Sequence, residues 1–260
     1  MPRPNKESRI AILALAASML AIVLSQFHPL YTYLDRPRIA AGVSAAQFTH
    51  IFGSPQLYLF VQLRNEGRAA GTITRLDAYL QSADDDHLRL KMPSQSYFTI
   101  PTTTVVGQGP PPVPWAAVTL TPDLTWNNFV WLYNEPSDAD RQKVAAFAQR
   151  AQQEMLSRAT PSQGRISDAL FSDIKTFVDH NLLPVRPGKY DLLLLVYDEK
   201  SRPLVTKGFS FVLTQQDMNT LSLTTEQYRS ASPPGQPVLL TLKEITDPRI
   251  LQKISKDAAT

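Results

Sequence analysis

The chain has no cysteine among its 260 residues. That excludes a disulfide framework, a lipidated cysteine anchor and any thiolate metal site. A chain this long can bury enough apolar surface to fold without covalent staples. Glycine is scarce, at 10 residues, while proline is plentiful, at 21, so the loops are stiff rather than floppy. Histidine is confined to His28, His50, His87 and His180, none spaced as a metal pair. HExxH, P-loop and GxSxG patterns are missing. No cofactor and no metal are expected. Runs of Lys or Arg are missing as well. The net charge of +3 looks basic, but residues 1–9 carry +2 of it, and the remainder balances 23 basic against 22 acidic residues. Nucleic-acid binding needs a clustered basic footprint, so no nucleic-acid partner is expected.

The strongest positive signal is at the N-terminus. Arg3, Lys6 and Arg9 lead into Ile10–Leu24, which carries no charge and one polar residue, Ser18. Extended to Phe27, the stretch gives roughly 27 Å of helix, just enough for a hydrocarbon core of about 30 Å. Ile10, Leu13, Leu15, Leu20, Ile22, Val23 and Leu24 supply the lipid-facing surface. Arg3, Lys6 and Arg9 hold the N-terminus in the cytoplasm by the positive-inside rule. Phe27, Tyr31 and Tyr33 fit an aromatic belt at the outer interface. A cleaved secretory peptide, cut after Ser25, is the competing reading, but no polar, turn-rich stretch precedes that position. The sequence therefore predicts a cytoplasmic segment over 1–9 and a transmembrane signal anchor over 10–27. The rest is expected in the periplasm or outside the cell, held at a bacterial inner membrane whose bilayer is the first partner.

Beyond the anchor the apolar pattern has period two. Arg36–Ile51 alternates weakly. In Leu57–Arg64, Leu57, Leu59, Val61 and Leu63 alternate with Tyr58, Phe60, Gln62 and Arg64, the mark of a strand. Thr72–Leu80, Leu88–Met92, Ala116–Leu120 and Trp126–Tyr133 are further strands, and Pro101–Pro114 reads as a stiff crossing loop. The period then changes. Val144, Phe147, Ala151 and Met155 have helical spacing, and Ser137 with Asp140 resembles a capping box. Ile166, Leu170, Ile174 and Phe177 mark a second helix, so a helical hairpin is predicted over about 137–182. Tyr190–Asp198 is apolar through Val196, Asp191 aside, and predicts a central strand buried on both faces. Leu204–Leu213 returns beside it. Thr224–Pro237 reads as a linker, followed by a strand over Val238–Ile245 and a helix over Pro248–Lys256. The organisation is thus one extracytoplasmic unit over 36–223 with a tail over 224–260.

Pro187-Gly188-Lys189-Tyr190, followed by a long strand and hairpin, resembles the late strands of immunoglobulin-like β-sandwiches. In that superfamily such a tyrosine hydrogen-bonds back across the corner. Leu57–Gly67, ending in Arg64-Asn65-Glu66-Gly67, is similar to an early strand and turn of its bacterial members. The resemblance implies a mainly β, antiparallel sandwich with an inserted helical hairpin behind one transmembrane helix. It implies no activity, because this architecture hosts many functions.

Candidate chemistry is sparse. Asp84-Asp85-Asp86 lacks the alternate spacing of a calcium loop and reads as a solvated tip. Asp179-His180 fits a helix terminus, where a cationic histidine is favoured. Pro111-Pro112-Val113-Pro114 reads as rigid loop. Phe129, Trp131 and Tyr133, with Trp115 and Trp126 nearby, form either a core stripe under the hairpin or an aromatic ligand platform, with Glu135 and Asp138 just beyond. The candidate ligand-binding set is Trp126, Phe129, Trp131, Tyr133 and Glu135, and no catalytic residue is assigned. The expected role is a membrane-anchored interaction module with a protein partner in the envelope. A glycan-binding module using Trp131 and Tyr133 is the alternative, and a hydrolase using Glu135 or Asp138 ranks last.

Overall fold

The computed structural model describes residues 14–15, 17–21, 36–84, 88–99, 112–157, 165–230 and 237–257. Of the expected anchor it describes 14–15 and 17–21, which are helical and exposed and include Leu15 and Leu20. There the Ser18 hydroxyl donates to the Ala14 carbonyl at 2.9 Å. Ile10, Leu13, Ile22, Val23 and Leu24, and the topology residues Arg3, Lys6 and Arg9, lie outside the described residues. Among the described residues no helix is long and apolar enough to cross a membrane.

The rest is mainly antiparallel β. The elements are β1 (Ile39–Ile51), β2 (Ser54–Asn65), β3 (Gly71–Ile73), β4 (Arg75–Ser82), β5 (Arg89–Phe98), β6 (Val113–Pro114), β7 (Val118–Leu120), β8 (Thr125–Tyr133), α1 (Asp138–Ser157), α2 (Asp168–Leu182), β9 (Gly188–Tyr197), β10 (Pro203–Leu213), α3 (Gln215–Gln227), β11 (Val238–Leu240), β12 (Lys243–Ile245) and α4 (Pro248–Asp257). The main sheet runs β11-β1-β2-β8-β5-β4-β9-β10-β12, with β6 on β5 and β3–β7 as a separate pair. The sheet curls on itself. Leu57, Leu59, Val61 and Leu63 of β2 thereby share one core with Leu76 and Leu80 of β4 and Leu192, Leu194 and Val196 of β9. Period-two alternation puts these side chains on the inner face.

β9 is central, between β4 and β10, and buried on both faces as its apolar run requires. Leu193 and Leu195 point outward, where Ile254 and Leu251 of α4 cover them. The helix lies close: a Cβ on Gly208 would sit 2.3 Å from Leu251 Cδ2. The tail is therefore built into the sheet. β11 pairs with β1 and β12 with β10, so one segment joins both ends of the strand order. Tyr190 is fully buried and closes its corner. Its hydroxyl donates to the Arg186 carbonyl at 2.7 Å and accepts from the Arg186 N–H at 3.0 Å.

Several boundaries move. The strand expected at Leu88–Met92 continues to Phe98, and Thr72–Leu80 divides into β3 and β4. Gln215–Gln227 is helical, so the expected linker from Thr224 begins inside a helix. The helical hairpin is present, as periodicity predicts. Ser137 Oγ accepts from the Asp140 N–H at 3.1 Å, the N-cap half of the expected box, and donates to the Asp140 carboxylate at 2.7 Å. The hairpin sits at one end of the sheet, packing Leu170, Phe171, Ile174 and Val178 of α2 against Phe52 and Tyr228. The β1–β2 turn makes room for it. Gly53 has φ of +82°, and a Cβ there would meet Val178 O at 2.8 Å.

Candidate binding face

The outer surface of β1, β2, β8 and β5 carries the aromatic stripe, because alternation turns the even positions of β2 and the odd positions of β8 away from the core. Register aligns them in tiers. Ala45, Phe60, Phe129 and Phe98 form one tier. Leu239, Gln47, Tyr58, Trp131 and Ser96 form the next. Thr49, Gln56 and Tyr133 form the third. None of these side chains is charged. Tyr58, Phe60, Phe98, Phe129, Trp131 and Tyr133 are all half-buried, and Leu239 is 75% exposed.

The rings order one another. Trp131 stacks on Tyr58 with centroids 6.2 Å apart and planes 5° apart, and on Tyr133 at 5.7 Å and 27°. Phe60 and Phe129 meet at 5.0 Å. Gln56, 1% exposed, fixes the stack from the neighbouring tier: its Oε1 accepts from Trp131 Nε1 at 3.1 Å and from the Tyr58 hydroxyl at 3.5 Å. Burial pushes the Tyr58 hydroxyl up from its ordinary pKa. Burial does the same to Tyr133, helped by the Glu135 charge and opposed by Arg141.

Beyond Tyr133 the face runs into a pocket of about 370 Å³ between the sheet end and α1. Its wall is Phe52, Tyr133, Val144, Ala145, Ala148 and Phe177, with Ser54, Asp140, Arg141 and Asn181 as the polar members. Arg141 is paired with Asp138 and lies 3.8 Å from exposed Glu135. Among the described residues the hairpin borders the aromatic face at one end, and the six rings stay half-buried while Thr49, Gln56 and Ser96 of the same tiers are buried.

The five predicted ligand residues do not stay together. Phe129, Trp131 and Tyr133 share the outer face, and Glu135 stands just beyond it. Trp126 points inward, edge-on to Trp115 at 5.9 Å and to Tyr97 at 5.5 Å. It belongs to the core, where Trp115 donates to the Thr74 carbonyl at 2.9 Å. Sequence reasoning missed Tyr58, Phe60 and Phe98. The first two were visible as the alternate positions of β2, and Phe98 was hidden beyond a strand end placed at Met92. Among the other candidates, Asp84 is exposed while Asp85 and Asp86 lie outside the described residues, and exposed Asp179 pairs with Lys175 at 3.4 Å. Pro111 lies outside the described residues, and Val113–Pro114 forms β6. His50 is fully buried, accepting from the Gly53 N–H at 3.2 Å and facing the Leu221 carbonyl at 3.0 Å, so it is a neutral Nε2–H donor. Burial holds its pKa below the ordinary histidine value. No protein-family model matches the chain, and neither does any curated protein.

Proposed function

We propose that this chain is a membrane-anchored extracytoplasmic binding module, an accessory subunit of a bacterial envelope complex, and that the outer face of β1, β2, β8 and β5 is its binding surface. One observation carries the reading: six half-buried aromatic side chains on the outside of a sheet whose core is already filled. A contiguous, partly exposed apolar face is where interaction sites occur, and charge-poor, aromatic-rich composition is that of interface centres. The Tyr190 corner has the hydrogen bond that the sandwich resemblance implies, which supports the architecture and no particular role. Placement at the membrane rests on the sequence of 1–27 alone. The test is extraction of the full chain in mild detergent after crosslinking, with protease added to spheroplasts in parallel. The chain should be digested from outside and should carry a stoichiometric partner, which Trp131→Ala releases while lowering the thermal midpoint by only a few degrees, the cost of the lost Gln56 bond. A protected chain refutes the location. A lone monomer, or a collapse of stability in Trp131→Ala, refutes the binding face.

A further inference from the structure

We infer that the end of the sheet where β1 begins is a seat for anionic phospholipid headgroups, with Arg36, Arg38, Arg64 and Arg68 as the groups that bind their phosphates. The inference rests on the membrane-anchored reading and names the surface on which the anchored unit stands. All four arginines are exposed. Arg36 and Arg38 lead into β1, Arg64 ends β2 but for Asn65, and Arg68 stands in the turn that follows. Register sets these segments side by side, with Ile39 opposite Asn65 and Ala40 opposite Arg64. None of the four guanidinium groups has a partner among the described residues, although exposed Glu66 and Asp123 stand in the adjoining turns. Arg141 and Arg150 of the hairpin are instead paired, with Asp138 and Asp173. Guanidinium forks match the paired oxygens of a phosphate. A cleft of about 580 Å³ runs from Arg36 to the β9–β10 turn, where Arg202 is held by Asp198 and where Lys200 and Glu199 are exposed.

The fold fixes this end with one buried side chain. Asn65 is fully buried, and its Nδ2 donates to the Ala69 and Leu120 carbonyls at 2.8 and 3.0 Å. Its Oδ1 accepts from the Gly67 N–H at 3.0 Å and the Arg38 N–H at 3.3 Å. A Cβ on Gly67 would sit 2.6 Å from Arg38 N, so turn and strand entry touch. The backbone that carries the arginines is thereby preorganised. The turn before β8 hangs on the same residue. Asn65 N–H donates to the Leu124 carbonyl at 3.2 Å, and Leu124 is left 46% exposed, an apolar tip at the same end. Reach selects the occupant. Residues 28–35 join the expected span to Arg36 and cover at most about 30 Å when fully extended. This end therefore stays at the bilayer, whereas the hairpin end of β1 lies roughly 40 Å away along the strand. A second copy would set arginine against arginine. The acidic tip at Asp84 follows β4 at the sheet's other end, and residues 28–35 hold one carboxylate, Asp35, against four arginines.

The absence of cysteine permits single labels on the full chain. Ala70→Cys, exposed at this end, and Leu156→Cys, on the hairpin as the distant reference, are each labelled with a fluorophore. Each chain is reconstituted alone into phosphatidylcholine vesicles, with or without phosphatidylglycerol, that carry a nitroxide quencher on the headgroups. With phosphatidylglycerol present, the label at 70 should be quenched strongly and the label at 156 weakly. Arg36→Gln, Arg38→Gln, Arg64→Gln and Arg68→Gln should each lower the ratio of docked to undocked chain about fivefold, the equivalent of about 1 kcal/mol, with the thermal midpoint unchanged. Equal quenching without phosphatidylglycerol, or quenching that survives all four changes, would overturn the seat and leave the anchor standing. Release by millimolar glycerol phosphate at constant ionic strength would show a site for free anions and overturn it too. A chain that does not float with the vesicles would overturn the anchored reading, and the seat with it.

Discussion

At the scale of single residues, Asp77 is a buried charge that its partners compensate only in part. It stands on the outer face of β4, with its side chain fully buried. Arg75 Nε lies 3.2 Å away and Lys91 Nζ 3.8 Å, yet neither carboxylate oxygen has a hydrogen bond of proper geometry. Burial raises its pKa above 3.8, and the two cations only partly oppose it. The sign follows. The unfolded chain releases the Asp77 proton at a lower pH than the folded one, so stability falls as pH rises from 3.8 through the folded value and stays reduced at neutrality. Asp77→Asn is therefore expected to raise the thermal midpoint at pH 7 by about 2–4 °C, the equivalent of about 1 kcal/mol. The gain should vanish in melts run below pH 3.8; a gain independent of pH would refute the assignment. Nothing in the sequence marks Asp77, since it occupies an ordinary outward position of an alternating strand and only the packing of neighbouring strands buries it. Trp126 makes the same point in reverse. Its neighbours in sequence are the face residues, and only the strand's parity separates it from them.

At the scale of elements, what was legible depended on whether an element announces its own period. α1 and α2 were readable because their apolar positions recur at helical spacing. α3 was not: its buried residues are Leu221, Thr224 and Thr225, and threonine reads as polar. Its one clear signal was the box Thr214–Asp217, in which side chain and backbone satisfy each other reciprocally. The pocket wall was illegible for another reason: it forms where two elements far apart in sequence meet. α1 is held to α2 by few contacts. Phe147 meets Phe177 edge-on at 5.5 Å, Arg150 pairs with Asp173 at 2.9 Å, and Glu154 accepts from both the N–H and the hydroxyl of Ser167 at 2.6 Å. Ser167 also caps α2 by accepting from the Leu170 N–H. Ser167→Ala removes the cap and one bond to Glu154, and should cost about 1–2 kcal/mol in chemical denaturation. Amide exchange should quicken across α1 more than across β9. Uniform quickening would mean that the hairpin is not a separately held unit.

At the scale of the whole molecule, the curled sheet depends on its C-terminal segment. Val238–Leu240 takes the free edge of β1, and Lys243–Ile245 takes that of β10, three residues on each side. α4 then shields Leu193 and Leu195. The apolar run Val238–Ile245 suggested a strand, but only the fold shows that it serves two edges at once, because sequence patterns report faces and not neighbours. Ile254 is 2% exposed, so Ile254→Ala should cost about 2–4 kcal/mol. Removing residues 238–260 goes further. It would leave two long strand edges without their partner segment and uncover two leucines on a central strand, the condition that invites edge-to-edge association. The truncated chain is expected to self-associate in size-exclusion chromatography with light scattering, and to lose its cooperative thermal transition. A truncated chain that stays monomeric and melts at the full-length midpoint would show that the sheet closes without this segment. In that case the tail would be free to serve a partner.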